Sequence, residues 1–408
     1  MKINRISVSW REIFAFVLPT VTILSQWFSV AGINISWILY ILLLFFLFVR
    51  YQMLLRNAGL LIFAALTFGL PIITYLWGIA KSFPTDLYFS LITGMVVMFF
   101  ICLMSESENS AFMWGVVCSC ILFTVWGIYE ISTGNYLLFN NKAFFVQNWV
   151  GLHYPGVAFA NTNDLVQYLA LLYPISGYLL LKRSKWMFAL LTLAVIFVTF
   201  QASSKLGMIS LVLTLVFAYT VSIFMSGNAS KTGKLILIGV AIVLAIWLYD
   251  AMSGTIRNII NNFFVIDSSA DYYTGRDDIY VPLIKHSFTH PFGGFGSAYK
   301  VTGMTPHNLL LYILCDYGWV PCIIMVVFLV RMTLFAFKKA REQEGNAFWC
   351  LLTVALCIFV VTSSISSCNE QRKAVWMFLG ICVRNVYRVP YGGGATISSK
   401  RFEITLGR

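Results

Sequence analysis

Charge is what this chain has least of. Asp, Glu, Lys and Arg make up 11% of its 408 residues, against about 25% in an average soluble protein. That shortage excludes a soluble fold of this size, whose surface needs far more ionised groups. No glycine-rich loop ends in Lys and Ser or Thr, which excludes a P-loop NTPase. None of the nine cysteines stands at zinc-ligand or thioredoxin-like spacing. All lie in or beside apolar runs and read as small packing residues. No fixed-period repeat, low-complexity tract or soluble domain interrupts the chain. The first apolar run lacks a small-residue cleavage site and a second follows closely, so it reads as a retained helix and not a cleaved signal.

What is abundant is apolar sequence. The chain is 59% hydrophobic with a mean hydropathy of +0.81. Its runs approach the length of about 20 residues that spans a bilayer as helix, the form lipid imposes on such segments. Twelve spans are predicted: 12–29, 34–49, 58–79, 86–104, 111–130, 164–181, 186–203, 206–226, 233–252, 318–337, 347–367 and 372–388. The fold class is therefore an all-α polytopic membrane protein, with one membrane domain over 1–388.

The net charge of +12 does not point to nucleic acid. Lys and Arg gather at alternate membrane faces, as the positive-inside rule requires. Eighteen fall on the side of both termini, from Lys2 through Arg50 and Arg384 to Arg408, and nine on the other. That sets both ends in the cytoplasm. Two long connections, 131–163 and 253–306, then lie outside, the larger carrying short helices. Loops of this length are often functional. The tail 389–408, rich in Gly and Ser, is expected to be disordered.

The larger loop holds "YYTGRDDIYVPLIKHSFTHPFGGFGSAYK", 272–300. Thr274 can cap a helix in which Asp277 and Asp278 face the positive end. Pro282 suggests a kink, and the helix should stop before Pro291. "GGFG" lacks the P-loop residues and reads as a flexible turn. Arg276 opposes the helix dipole, so local stability does not account for it. A guanidinium grips phosphate oxygens at two points. In "QASSKLGMIS", Lys205 opens a span at the same outer face. It reads either as a snorkelling lysine or as a second phosphate cation.

"MTPHNLLLYILCDYGWVP", 304–321, turns from polar to apolar. Run as a helix to Gly318, it sets His307 on one face with Leu310, Leu311 and Leu314. Asp316 then falls about half a turn away and does not orient His307. An imidazole with an ordinary pKa near 6.5 can take a proton from a hydroxyl, and ionisable groups at membrane depth tend to be functional. In "GVAFANTNDLVQYLALLYP", 156–174, Asn163 reads as a cap and Asp164 as a first-turn acid. The alternative is a cluster of amides and carboxylate for sugar hydroxyls.

On these residues the chain resembles the bacterial O-antigen polymerase and O-antigen ligase superfamily. The shared features are "SSK" opening a span, "TGRDDIY" followed by "HPFGGFG", "PHNLLLYILCDYG" leading into a span, and "FANTNDL". They cover roughly 156–340; the N-terminal half matches as a hydropathy profile alone. The resemblance implies a glycosyltransferase at the outer face of the bacterial inner membrane, without a metal or other cofactor. Its donor would be a saccharide on undecaprenyl pyrophosphate, and a chain-length regulator would be a fitting partner. His307 would activate the acceptor hydroxyl, Arg276 would hold the pyrophosphate, and Lys205, where the family often has Arg, would assist. Asn308, Asn161, Asn163 and Asp164 would bind substrate. A polymerase joins one lipid-linked unit to the chain on another lipid. A ligase instead moves the finished chain to lipid A core or protein. "FANTNDL" and "SSK" favour the polymerase. Transport of a lipid or polysaccharide is the reading from another class, but transporters set their ionisable groups near mid-membrane, where Arg331 is this chain's clearest cation.

Arg276→Lys keeps the charge and loses the fork. It is expected to cut glycan polymerisation about tenfold or more, as the loss of one charge-assisted hydrogen bond does. A glycan ladder of native length and intensity from this variant would refute the role.

Overall fold

The structure, a computed structural model, describes residues 5–25, 28–30, 33–50, 58–138, 153–159, 161–202, 204–225, 277–303, 306, 308–365, 373–387 and 401–405. In chain order its elements begin with β1 Arg5–Ser9, α1 Trp10–Leu24, β2 Ser29–Val30, β3 Ile33–Asn34, α2 Ile35–Val49 and α3 Ala58–Tyr75. Next come α4 Thr85–Cys102, α5 Glu106–Thr133, α6 Thr162–Arg183, α7 Lys185–Gln201 and α8 Lys205–Met225. The third group is α9 Asp277–Thr289, α10 Ser297–Thr302, α11 Leu309–Tyr317 and α12 Trp319–Glu342. Last are α13 Ala347–Cys357, α14 Phe359–Ser363, α15 Lys373–Tyr387 and β4 Arg401–Thr405.

Described helices overlap each predicted span except 233–252, which lies outside the described residues. Among the described residues, five helical stretches are long and apolar enough to cross a membrane: Thr85–Cys102, Glu106–Thr133, Thr162–Arg183, Leu206–Ile223 and Trp319–Glu342. The chain is thus a mostly helical membrane protein. It divides into two compact units, one of residues 1–68, 86–204 and 370–408, the other of 69–85 and 205–369.

In the first unit, α5 packs against α1, α6 and α7. Gly115 admits the closest approach, because a Cβ there would stand 1.9 Å from the carbonyl oxygen of Phe16. A lipid-facing helix pair gains no hydrophobic drive, so small residues that let backbones meet take over. Within the tail, residues 401–405 are described as β4, and the rest lies outside the described residues. β4 pairs antiparallel with β1, setting Ile404 opposite Ile6 and Phe402 opposite Val8. Both segments, "RISVS" and "RFEIT", alternate apolar and polar residues at the period of a strand.

The turn between α4 and α5 is tied down by charged side chains. Ser105 and Glu108 form a capping box, with Ser105 N–H donating to Glu108 Oε2 at 2.8 Å and Glu108 N–H to Ser105 Oγ at 3.3 Å. The second carboxylate oxygen of Glu108 accepts from Arg50 Nη2 at 2.6 Å, and Arg50 Nη1 donates to the Leu103 carbonyl. Arg384 Nε donates to the Met104 carbonyl at 3.0 Å and its Nη2 to Glu106 Oε1 at 2.9 Å. Two guanidiniums thus satisfy carbonyls left over at the end of α4, and two carboxylates stand at the positive start of α5. Arg50 and Glu108 are both buried, so neither can lose its partner cheaply. Arg50→Met is expected to destabilise the protein by about 3–5 kcal/mol, the cost of one buried charge left alone. Adding Glu108→Gln, which keeps the capping box, is expected to recover most of that. Thermal unfolding in detergent measures both; equal losses in the single and double variants would contradict the pairing.

Candidate functional site

Residues that carry the resemblance fall in both units. In the second, α9 ends at Thr289, two residues before Pro291, as its sequence predicts. "GGFG" is not the flexible turn expected. Phe295 is fully buried between the rings of Phe83 and Tyr317. Gly294 N–H donates to the Cys315 carbonyl at 3.1 Å. A Cβ on Gly294 would lie 2.3 Å from Gly78 Cα, and one on Gly293 2.4 Å from the backbone nitrogen of Gly318. Glycine is here for close approach of backbones, and at Gly293 also for a φ of +75°.

Asp316 fixes this turn. The carboxylate, fully buried in the last turn of α11, accepts from Gly296 N–H at 3.1 Å and from Ala298 N–H at 2.8 Å. Those amides open α10. Burial raises this carboxyl to about 6, while the Ala298 and Gly296 amides and Tyr312 pull it down. Nearby, His286 and His290 stack at 4.1 Å. His290 Nδ1 meets Thr289 Oγ1 at 2.9 Å, and burial followed by the neighbouring His290 lowers His286 to about 4.

Asn308 caps α11, its Oδ1 accepting from Leu310 N–H at 3.0 Å and Leu311 N–H at 3.1 Å. The helix starts at Leu309, and the face expected to be shared by His307 with Leu310, Leu311 and Leu314 rests on a residue outside the described ones. His307 and Arg276 lie outside the described residues, as does Thr274. Lys205 opens α8, as expected of "SSK", but its side chain is not described.

In the first unit the cap of α6 is Asn161, two residues before the one expected. Its Oδ1 accepts from Asn163 N–H at 2.8 Å. Asn161 is exposed, Asn163 is partly so, and Asp164, a first-turn acid as read from the sequence, is buried. The three therefore share one helical turn. Before them, Gly156 and Val157 both donate their N–H groups to Glu130 Oε2, each at 2.7 Å. Val157 holds a φ of +57° and is fully buried. For a β-branched residue that is an outlier with a real cost.

Sequence reasoning missed the parts played by Asp316 and Glu130. The signal was available, since each is a lone acid in an apolar stretch, where ionisable groups are expensive. Read only against His307, Asp316 had no role; Glu130 was absorbed as the last residue of a span. No protein-family model and no curated protein matches this chain.

Asp316→Asn offers one oxygen to two donors and turns an NH₂ toward an amide, which costs about 1–3 kcal/mol. The pH dependence carries a sign. Asp316 binds its proton more tightly when folded, so its contribution is greatest below about 3.8 and is lost as pH rises through about 6. His286 runs the other way, present above about 6.5 and lost as pH falls through about 4. Between these limits, the unfolding midpoint of Asp316→Asn is expected to rise with pH more steeply than that of the native chain. Parallel profiles would contradict the buried acid.

Proposed function

We propose that the protein is a polysaccharide polymerase of the cytoplasmic membrane, acting at its outer face on undecaprenyl-pyrophosphate-linked repeat units. In this reading an acceptor hydroxyl on one unit attacks the anomeric carbon of the saccharide on another lipid. The new carbon–oxygen bond forms as the bond to pyrophosphate breaks. The hydroxyl proton passes to His307, and the bonding electron pair leaves with the polyprenyl pyrophosphate. Arg276 and Lys205 hold that departing charge, a form of electrostatic catalysis by fixed groups. A positioned base contributes about 10²–10⁴-fold. The donor is already energised, so no nucleotide is needed.

The observation that carries the reading is the scaffold of "HPFGGFG" and "PHNLLLYILCDYG". The two motifs pack on one another through Asp316 and Cys315. Position 307 stands immediately before the Asn308 cap. Catalytic groups placed at the ends of rigid elements hold their geometry better than groups on loose loops.

The twelve-span topology belongs to the same proposal, and features of the first unit support it. Arg50, the Ser105–Glu108 turn and Arg384, all assigned to the inner side, meet one another. Glu130 and residues 156–159 and 161–164, assigned to the outer side, gather at the other end of α5, 28 residues long. That length is about 42 Å of helix, enough to cross a bilayer. Pairing of β1 with β4 sets residues 5–9 beside 401–405, which supports their lying on one side of the membrane.

A deletion strain complemented with His307→Ala tests the reading. Its glycan profile is expected to keep single repeat units and lose the ladder of longer chains. Long chains accumulating on the lipid carrier would favour a ligase. An unchanged ladder would overturn the assignment and favour transport.

A further inference from the structure

The three helices α5, α6 and α7 form an apolar wedge with a polar layer at one end. Printed contacts set the register. Ser119 Oγ meets Tyr168 OH at 2.5 Å, and the Phe123 ring lies 5.3 Å from that of Tyr168. Tyr173 OH meets Thr192 Oγ1 at 2.5 Å. A Cβ on Gly127 would stand 3.2 Å from Val198 Cγ1 and 3.6 Å from Pro155 Cβ. Both pairs are antiparallel, so Asp164 comes level with Gly127 and Gln201. Glu130 and Gln167 then fall within a turn of that level, as each residue rises about 1.5 Å. Every one of these polar side chains is buried.

Glu130 stands out because of what it holds. One carboxylate oxygen takes both amides of the Gly156–Val157 bend, and the second of those residues is a valine in the left-handed region. Such a conformation persists only where its surroundings enforce it. Four bonds continue from the bend to the start of α6: Phe159 N–H to the Gly156 carbonyl, Thr162 Oγ1 to the Pro155 carbonyl, Asn163 N–H to Asn161 Oδ1 and Asp164 N–H to the Asn161 carbonyl. The Phe159 ring inserts against Phe123 at 5.4 Å and Tyr168 at 5.5 Å. The strained bend thereby sets where the asparagine-bearing turn begins.

We infer that Glu130 is a positioning residue for the transfer reaction: by holding the Gly156–Val157 bend, it fixes the Asn161–Asn163 turn against the glycan. This inference rests on the polymerase reading and extends it to a residue in another segment of the chain. The role needs an acceptor oxygen at the end of a three-atom stem, and it does not need a negative charge.

Three variants separate the possibilities: Glu130→Gln, Glu130→Met and, as control, His307→Ala. They are compared at equal amounts of membrane-inserted protein. Chain-length profiles are read in cells, and KM and kcat with a polyprenyl-pyrophosphate-linked repeat unit. Glu130→Met fills the space but offers no acceptor. It is expected to raise KM about tenfold or more, with a smaller change in kcat, the pattern of lost binding. Glu130→Gln, which can still accept both amides, is expected to recover most of that loss. A native ladder in Glu130→Met overturns the inference, and so does a Gln variant as defective as Met. If His307→Ala alone ladders normally, the polymerase reading fails instead. Hydrogen exchange on the native protein covers the case in which Glu130→Met does not accumulate. Slow exchange at the Gly156 and Val157 amides supports the clamp; open-loop rates there overturn it.

Discussion

Irregular backbone beside a membrane needs hydrogen-bond partners, and here buried acidic and basic side chains supply them. Lipid offers none, and an unpaired buried N–H or carbonyl costs as much as a lost hydrogen bond. Glu130 answers two amides of one turn, and Asp316 answers two of another. Arg50 and Arg384 answer the carbonyls of Leu103 and Met104. Acids receive donors and bases receive acceptors. In a chain with only 11% charge, these four groups stand where the backbone departs from helix. The resulting loops are fixed in place by side chains of neighbouring helices.

That constraint bears on the chemistry proposed. Electrostatic catalysis works when the stabilising groups are already in position as charge develops. A donor on polyprenyl pyrophosphate brings both its energy and its leaving group. What the protein must add is a base, cations for the departing pyrophosphate and a held acceptor. The Asp316 clamp holds the Gly296–Ala298 start of α10, and the Glu130 clamp holds the bend that precedes Asn161. In both, the acid works one step back from the groups assigned to substrate.

Much of the fold was legible in the sequence because it is written in long apolar runs. Described helices overlap the predicted spans other than 233–252, which lies outside the described residues, and Gly318 and Thr289 end helices where expected. Errors cluster where local rules meet tertiary ones. "GGFG" read as flexible because glycine is permissive in isolation; its glycines instead admit the backbones of Gly78 and Gly318. Asn163 and Asn161 are equally good caps by type, and the bend at Val157 selects the earlier one. The clamp partners of Glu130 lie 26 and 27 residues away, and those of Asp316 lie 18 and 20. No local pattern announces such pairs. Of the site, Asn161, Asn163, Asp164 and Asn308 have described positions, whereas Arg276 and His307 fall outside the described residues.

Reconstitution tests the central claim most directly. The purified protein, placed in vesicles with polyprenyl-pyrophosphate-linked repeat units and no nucleotide, is expected to lengthen the glycan. It is also expected to release one polyprenyl pyrophosphate for every linkage made. Lipid-linked units that stay single, with no pyrophosphate carrier set free, would contradict the account.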